Sequence, residues 1–87
     1  MRLKLRRLLK RLSAGSLQNV AFPDMIKLVE SFGFRLARVS GSHHIFTHPD
    51  LAELINLQEV RGKAKPYQIR QALRLVERYN LQLEESE

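Results

Sequence analysis

GFRLARVSGSHHIFTHPD, residues 33–50, has the pattern of a β-hairpin. Residues 34–39 alternate between apolar and polar side chains well enough to predict a strand. Residues 40–42 read Ser-Gly-Ser and predict a tight turn, after which residues 43–47 supply the returning strand. His48-Pro49-Asp50 then closes the hairpin with turn-forming residues.

A helix is predicted on each side of this hairpin. The helix before it begins near Pro23, because proline suits the first turn and Asp24 complements the positive helix end. Gly33 is placed to end that helix in the left-handed conformation. The last helix begins at Pro66. Each helix has one apolar face, formed by Met25, Leu28, Val29 and Phe32 in the first and by Ile69, Ala72, Leu73 and Val76 in the second.

A third strand is predicted over residues 54–60. Ile55 and Leu57 lie on one face of this strand, whereas Asn56 and Gln58 lie on the other. Residues 61–65 follow as a basic loop. The pattern therefore predicts an α+β domain in which two helices cover one face of a three-stranded antiparallel sheet.

The ends of the chain differ from this central domain. Residues 1–20 form a basic extension, and its leucines at positions 5, 8, 9 and 12 predict an amphipathic helix. This helix is suited to binding RNA, binding an acidic protein, lying on a membrane, packing on the core or self-association, and the pattern does not choose among them. Residues 21–83 form the domain, and 84–87 are an acidic tail. The segment from residue 81 onward is expected to fray.

Composition limits the classes of function. A chain of 87 residues holds one small domain, and the lack of cysteine excludes disulfides, thiolate zinc sites and cysteine nucleophiles. The formal net charge of +6 favours a polyanionic partner. No run of residues resembles a membrane span or the apolar region of a signal peptide, so a cytoplasmic protein is expected.

All three histidines lie close together, and three interpretations compete for them. A metal site is disfavoured, because His43 and His44 point to opposite faces of a strand and Asp50 is the only nearby carboxylate. A structural role suits His48, which precedes a proline and can cap its turn. The third interpretation is proton transfer, since imidazole both accepts and donates a proton near neutral pH.

Proton transfer by histidine is sufficient for RNA cleavage. A base removes the 2′-hydroxyl proton, the oxygen attacks the adjacent phosphorus, and an acid protonates the leaving oxygen. Positive side chains must stabilise the charge on the phosphate. The candidates for this role are Arg35, Arg38, Lys63, Lys65 and Arg70. From the residues alone, a nuclease cannot be distinguished from a non-catalytic binding protein.

The central segment resembles the HicA (YcfA) toxin family over roughly residues 23–80. That family has an amphipathic helix ending in Gly and an aromatic residue, a strand, Gly-Ser-His-His with an aromatic residue, and a His-Pro turn. The matching residues in this chain are Phe32-Gly33-Phe34, Gly41-Ser42-His43-His44, Phe46 and His48-Pro49.

The resemblance implies a fold similar to a double-stranded-RNA-binding domain, αβββα. It further implies a metal-independent, cofactor-free endoribonuclease that cleaves mRNA as the toxin of a type II pair and is inhibited by a HicB-like antitoxin. The catalytic residue is implied to be His43, with His44 as the alternative. Gly41 and Ser42 would place the imidazole near a phosphate.

Two other functions fit the same residues. One is an RNA-binding module that keeps the fold and the basic surface but does not cleave. The other is a subunit that uses its charge only to hold an acidic antitoxin. The chain also departs from the family pattern in the third strand and at the start of the last helix, where Lys65-Pro66-Tyr67 replaces a Gly-Thr or Gly-Ser pair. The candidate replacements for a catalytic or RNA-contacting group at these positions are Asn56, Gln58 and Lys65, although Asn56 and Gln58 also suit a plain solvated strand face.

Overall fold

A computed structural model describes residues 2–84 of the chain. Its architecture is α+β, as predicted. In chain order the elements are α1 (Arg2–Ser13), α2 (Phe22–Ser31), β1 (Arg35–Ser40), β2 (His43–Thr47), β3 (Ile55–Val60), β4 (Lys63–Ala64) and α3 (Pro66–Arg78). None of these helices is long and apolar enough to cross a membrane.

The sheet has four strands rather than the three predicted. They are antiparallel and lie in the order β1-β2-β3-β4. The extra strand, β4, comes from the predicted basic loop, because Arg61 and Gly62 both adopt positive φ angles (54° and 78°) and turn the chain back in two residues. The backbone N–H of Ala64 also donates to the Val20 carbonyl oxygen at 3.0 Å. Pairing on both sides thus stabilises a segment too short to be predicted as a strand.

The core lies between one face of the sheet and the helices. Phe46 of β2 and Leu57 of β3 are completely buried, and Ile69 of α3 is equally inaccessible. The predicted apolar faces of both helices also contribute to this core, and the predicted inward positions on β3 are confirmed. The opposite face of the sheet is left uncovered by the described helices.

Helix α1 packs on this core through its leucines. Leu12 is 2% exposed, and Leu5, Leu8 and Leu9 are partly buried against the core. Of the roles that suit the extension, core packing is confirmed, and the helical side of the sheet carries three helices instead of two. An ion pair of 3.3 Å between Lys4 Nζ and Asp24 Oδ1 also joins α1 to α2.

The turns around the hairpin follow the sequence predictions. Gly33 ends α2 with a φ of 97°, and a Cβ at this position would lie 2.8 Å from His48 Nε2. His48 Nδ1 accepts the backbone N–H of Asp50 at 3.1 Å, and its ring meets the Phe34 ring edge-on at 5.0 Å. The capping role predicted for His48 is confirmed.

The prediction that the chain frays from residue 81 is wrong for residues 81–84. The side chains of Leu81 and Leu83 pack against the core, and the backbone N–H of Glu84 donates to the Ser31 carbonyl oxygen at 2.7 Å. Two leucines alternating with polar residues give the segment an apolar side, although acidic residues follow directly in the sequence. Residues 85–87 of the predicted acidic tail lie outside the described residues.

The C-terminal end of α3 is held to the loop before β3. The Tyr79 hydroxyl donates to the Glu53 carboxylate at 2.7 Å, and Arg78 Nη1 lies 3.3 Å from Glu53 Oε2. The hydrogen bond from Tyr79 is the main cause that lowers the pKa of Glu53, and it raises the pKa of Tyr79. Because this network is exposed, we expect it to position the end of α3 against the loop and to contribute little to the free energy of unfolding.

Gln68 is the buried polar side chain that joins α3 to the sheet. It is 2% exposed, and its Oε1 accepts the backbone N–H of Gln58 at 2.6 Å. Gln68→Leu is expected to lower the free energy of unfolding by about 1–3 kcal/mol, because the Gln58 N–H loses its acceptor. Urea denaturation measures the change. Gln71→Leu, at an exposed position of the same helix, is the matched control, and an equal effect of both substitutions would show that the buried hydrogen bond is unimportant.

Candidate functional site

The tight turn between β1 and β2 fixes where the histidines lie. β1 ends at Ser40 and β2 begins at His43, so only Gly41 and Ser42 connect the strands. Gly41 has a φ of 60°, and no atom outside residues 40–42 lies within 4 Å of a Cβ built on it. The Ser42 carbonyl oxygen accepts the Glu59 backbone N–H at 3.1 Å, which holds the turn against β3. His43 and His44 are therefore the first two residues of a strand anchored on both sides.

His43 lies on the uncovered face of the sheet, which we call the open face. It is paired with Ser40 of β1 and Gln58 of β3, and paired residues share a face. Its Nδ1 is 3.2 Å from Asn56 Oδ1 on the neighbouring strand. This contact orients the ring, and among the described residues no hydrogen bond occupies Nε2. An imidazole that is held at one nitrogen and makes no hydrogen bond at the other is suited to proton transfer.

His44 lies on the helical side of the sheet. Its strand neighbours are Val39 and the buried Leu57, and its ring meets the Phe22 ring edge-on at 4.8 Å. The Nδ1 atom is 3.3 Å from the Ser42 carbonyl oxygen. Because a carbonyl only accepts, this contact requires a proton on Nδ1, and in the neutral ring Nε2 is then the acceptor. The two histidines are thus not equivalent, as strand alternation predicts.

An irregularity in β1 brings Arg38 to the open face. Leu36 is paired with Phe46, but Arg38 is paired with Ile45, so the register shifts between them and Ala37 is the extra residue. Regular alternation from Leu36 would turn Arg38 toward the helices. With the bulge, Arg38 shares the face of His43. Sequence patterning alone gives no sign of this shift.

The predicted cations divide between the two sides of the sheet. Lys63 is paired with Val60, which places it on the open face with His43 and Arg38. Lys65 instead directly precedes α3, and its Nζ lies 5.8 Å from the centre of the Tyr67 ring. Arg70 lines a groove between α1 and α3. The structure therefore brings Arg38 and Lys63 onto the face of His43 and separates Arg70 from it.

No group of three or more metal-binding side chains of the kinds His, Cys, Asp or Glu is clustered in the described part of the chain. The candidate site residues all lie between the end of α2 and the first turns of α3. That region is matched by the family model described as the HicA toxin of bacterial toxin–antitoxin systems, over residues 22–77. The chain belongs to the HicA toxin family.

The HicA match covers α2, all four strands and nearly all of α3, whereas α1 lies outside it. Neither the search of curated proteins nor that of solved structures gave a significant match. The family assignment thus rests on the same segment in which Gly41, Ser42 and the two histidines form the turn and the start of β2. The family match supports a toxin role for the chain.

Proposed function

We propose that the chain is an endoribonuclease toxin that cleaves mRNA without a metal ion and is inhibited by a HicB-like antitoxin. The observation that carries this proposal is the HicA family match across a segment in which the Gly-Ser-His-His turn presents His43 on the open face. The α+β sheet with its helices on one side is compatible with a fold similar to a double-stranded-RNA-binding domain. In such a fold, RNA is contacted mainly through shape, phosphates and 2′-hydroxyls.

His43 is the proposed general base. Asn56 Oδ1 accepts a hydrogen bond from the protonated Nδ1, which fixes the tautomer with an unprotonated Nε2. Nε2 then removes the proton from a 2′-hydroxyl, and the oxygen attacks the adjacent phosphorus. The bond to the 5′-oxygen breaks, and that oxygen takes up a proton from water, while the proton taken up by His43 is afterwards released to the solvent. The first product ends in a 2′,3′-cyclic phosphate.

The remaining groups of the open face act on the phosphate. Arg38 and Lys63 carry the positive charges that stabilise the phosphate as negative charge increases in the transition state. Gly41 leaves open space beside the turn, and Ser42 follows it with an exposed side chain, so a phosphate can approach this backbone closely. Lys65 is proposed to contact RNA outside the reacting phosphate, because it directly precedes α3 and is not part of a strand. Arg70 lines the groove between α1 and α3, away from the open face, and is not included in the proposed RNA contacts.

His44 is the alternative base. Its Nδ1 is held by a carbonyl oxygen, so its Nε2 has the correct protonation state for the same reaction. It differs from His43 in contacting Phe22 on the helical side, where Arg38 and Lys63 do not lie. We favour His43 because the cations share its face.

The rival function is an RNA-binding module that does not cleave. An RNA cleavage assay in the presence of EDTA separates the two functions. We expect cleavage to continue, and a single 2′-deoxynucleotide placed at a mapped cleavage site should abolish cleavage there, because the attacking oxygen is missing. Cleavage products should carry 2′,3′-cyclic phosphate ends. RNA binding without cleavage would support the rival, and cleavage that needs a divalent metal would contradict the proposed mechanism.

A further inference from the structure

The groove between α1 and α3 has an apolar floor and a basic rim. Leu12 and Phe32 are buried at its base, and Leu9 and Leu73 are half-buried along it. The exposed side chains at its edges include Lys10 of α1 together with Arg70 and Arg74 of α3. Glu77 is the acidic residue among those that line it. The surface is therefore apolar in the centre and mainly positive at the edges.

The arrangement of the cations fits a helical ligand. Arg70 and Arg74 are four residues apart, so they lie on the same side of α3 about one helical turn apart. Lys10 faces them from the other helix that lines the groove. A helix with leucine-like side chains on one face and carboxylates four residues apart beside them would bury its apolar face on Leu9 and Leu73. Its carboxylates would then lie next to the basic rim.

We propose that this groove binds an acidic amphipathic helix supplied by a protein partner. RNA is a poorer fit, because single-stranded bases stack on exposed aromatic rings, whereas the aromatic residue lining this groove, Phe32, is only 4% exposed. A second copy of the chain is also a poorer fit, since it would bring a second surface of the same charge to the rim.

The groove extends beyond the matched family segment. One of its walls is α1, which lies outside the residues that the family model covers, and another is α3, which lies almost wholly inside them. Residues 81–83 also line the groove. The partner helix would thus contact both the extension and the family domain. Because the groove lies on the helical side, this proposal is independent of the proposed RNA cleavage at His43.

Two synthetic peptides of about 18 residues test the proposal, a length at which an isolated helix begins to be stable. The first has leucine on one helical face and glutamate on the other, and the second has the same composition in an order that gives no apolar face. Fluorescence anisotropy measures their affinities. We expect the amphipathic peptide to bind about ten-fold more tightly than the scrambled one, and added salt should lower the affinity of the amphipathic peptide. Equal affinities would overturn the proposal.

Charge reversal then locates the site. The double substitution Lys10→Glu and Arg74→Glu should lower the affinity for the amphipathic peptide by about ten-fold or more. Two rim cations are then replaced by carboxylates, which repel the carboxylates of the peptide. Lys27→Glu with Arg35→Glu is the matched control, since it makes the same change in net charge at two exposed residues outside the groove. Circular dichroism confirms that both variants are folded. An equal loss of affinity in the two variants would mean nonspecific charge attraction and would overturn the proposal.

NMR chemical shifts of the unmodified protein give a second readout. The amphipathic peptide should shift the backbone amides of Leu9, Leu73 and Val76, whereas single-stranded RNA should leave them unchanged. Peptide-induced shifts centred on the open face would refute the groove as the binding site. Shifts of the groove amides by RNA but not by the peptide would instead identify a nucleic-acid surface and overturn the protein-partner proposal.

Discussion

His43→Ala is expected to lower the rate of RNA cleavage by about 10²–10⁴-fold, the usual contribution of a positioned general base. The His43 side chain lies on the open face and outside the core, so the loss should come from chemistry and not from unfolding. The measurement is single-turnover cleavage of a labelled RNA, with circular dichroism to confirm the fold. Affinity for uncleavable, 2′-deoxy-modified RNA should change little.

His44→Ala is the matched comparison, because it removes the same side chain from the next position of the same strand. If His43 is the base, His44→Ala should retain most of the cleavage rate, apart from any loss of stability through the lost contact with Phe22. The opposite result, an inactive His44→Ala and an active His43→Ala, would place the base on the helical side. The roles proposed for Arg38 and Lys63 would then also be wrong.

The regular parts of the fold were predictable because burial imposes a period on the sequence. Apolar residues recur at helical spacing from Met25 to Phe32, and they alternate at Ile55 and Leu57, so the buried faces were evident. Gly33 was predictable as the end of α2 for a different reason, since its positive φ is costly for other residues. These signals are local, and the structure confirms them.

What the sequence did not predict depends on contacts between distant residues. β4 has only two residues, and its position depends on bonds to segments before and after it, such as that from Ala64 to Val20. The packing of Leu81 and Leu83 likewise depends on helices far earlier in the chain. Propensity and periodicity describe neighbours in sequence, so they contain no information about such pairings.

Only part of the candidate site was predictable, because the rest depends on contacts between distant residues. Strand alternation separated His43 from His44, and it put Asn56 on the outer face of β3. The contact between His43 and Asn56, however, depends on the register of two strands. The position of Arg38 depends on the bulge at Ala37, which the letters Leu-Ala-Arg-Val do not indicate. The residues of the site were thus identifiable from sequence, whereas their grouping required the structure.

The packing of α1 on the core is expected to contribute strongly to the free energy of unfolding. Leu12→Ala is expected to lower the free energy of unfolding by about 2–5 kcal/mol, because it removes buried methyl groups and leaves a cavity. Leu12 is 2% exposed and belongs to the same core cluster as Phe46 and Ile69. Urea denaturation should show one cooperative transition with a lower midpoint, since the loss of the Leu12 contacts destabilises the whole core.

Leu54→Ala is the control for this prediction, because it makes the same substitution at a leucine that is 52% exposed. It should change the free energy of unfolding by less than about 0.5 kcal/mol. A similarly small effect at Leu12 would mean that α1 is an appendage of a domain that is stable without it. The expected large effect would mean that the core extends beyond residues 22–77 of the family match and includes a helix contributed by the extension. In that case the α1 wall of the groove is as rigid as the domain itself, so a partner helix would bind a preformed surface and would not have to order α1.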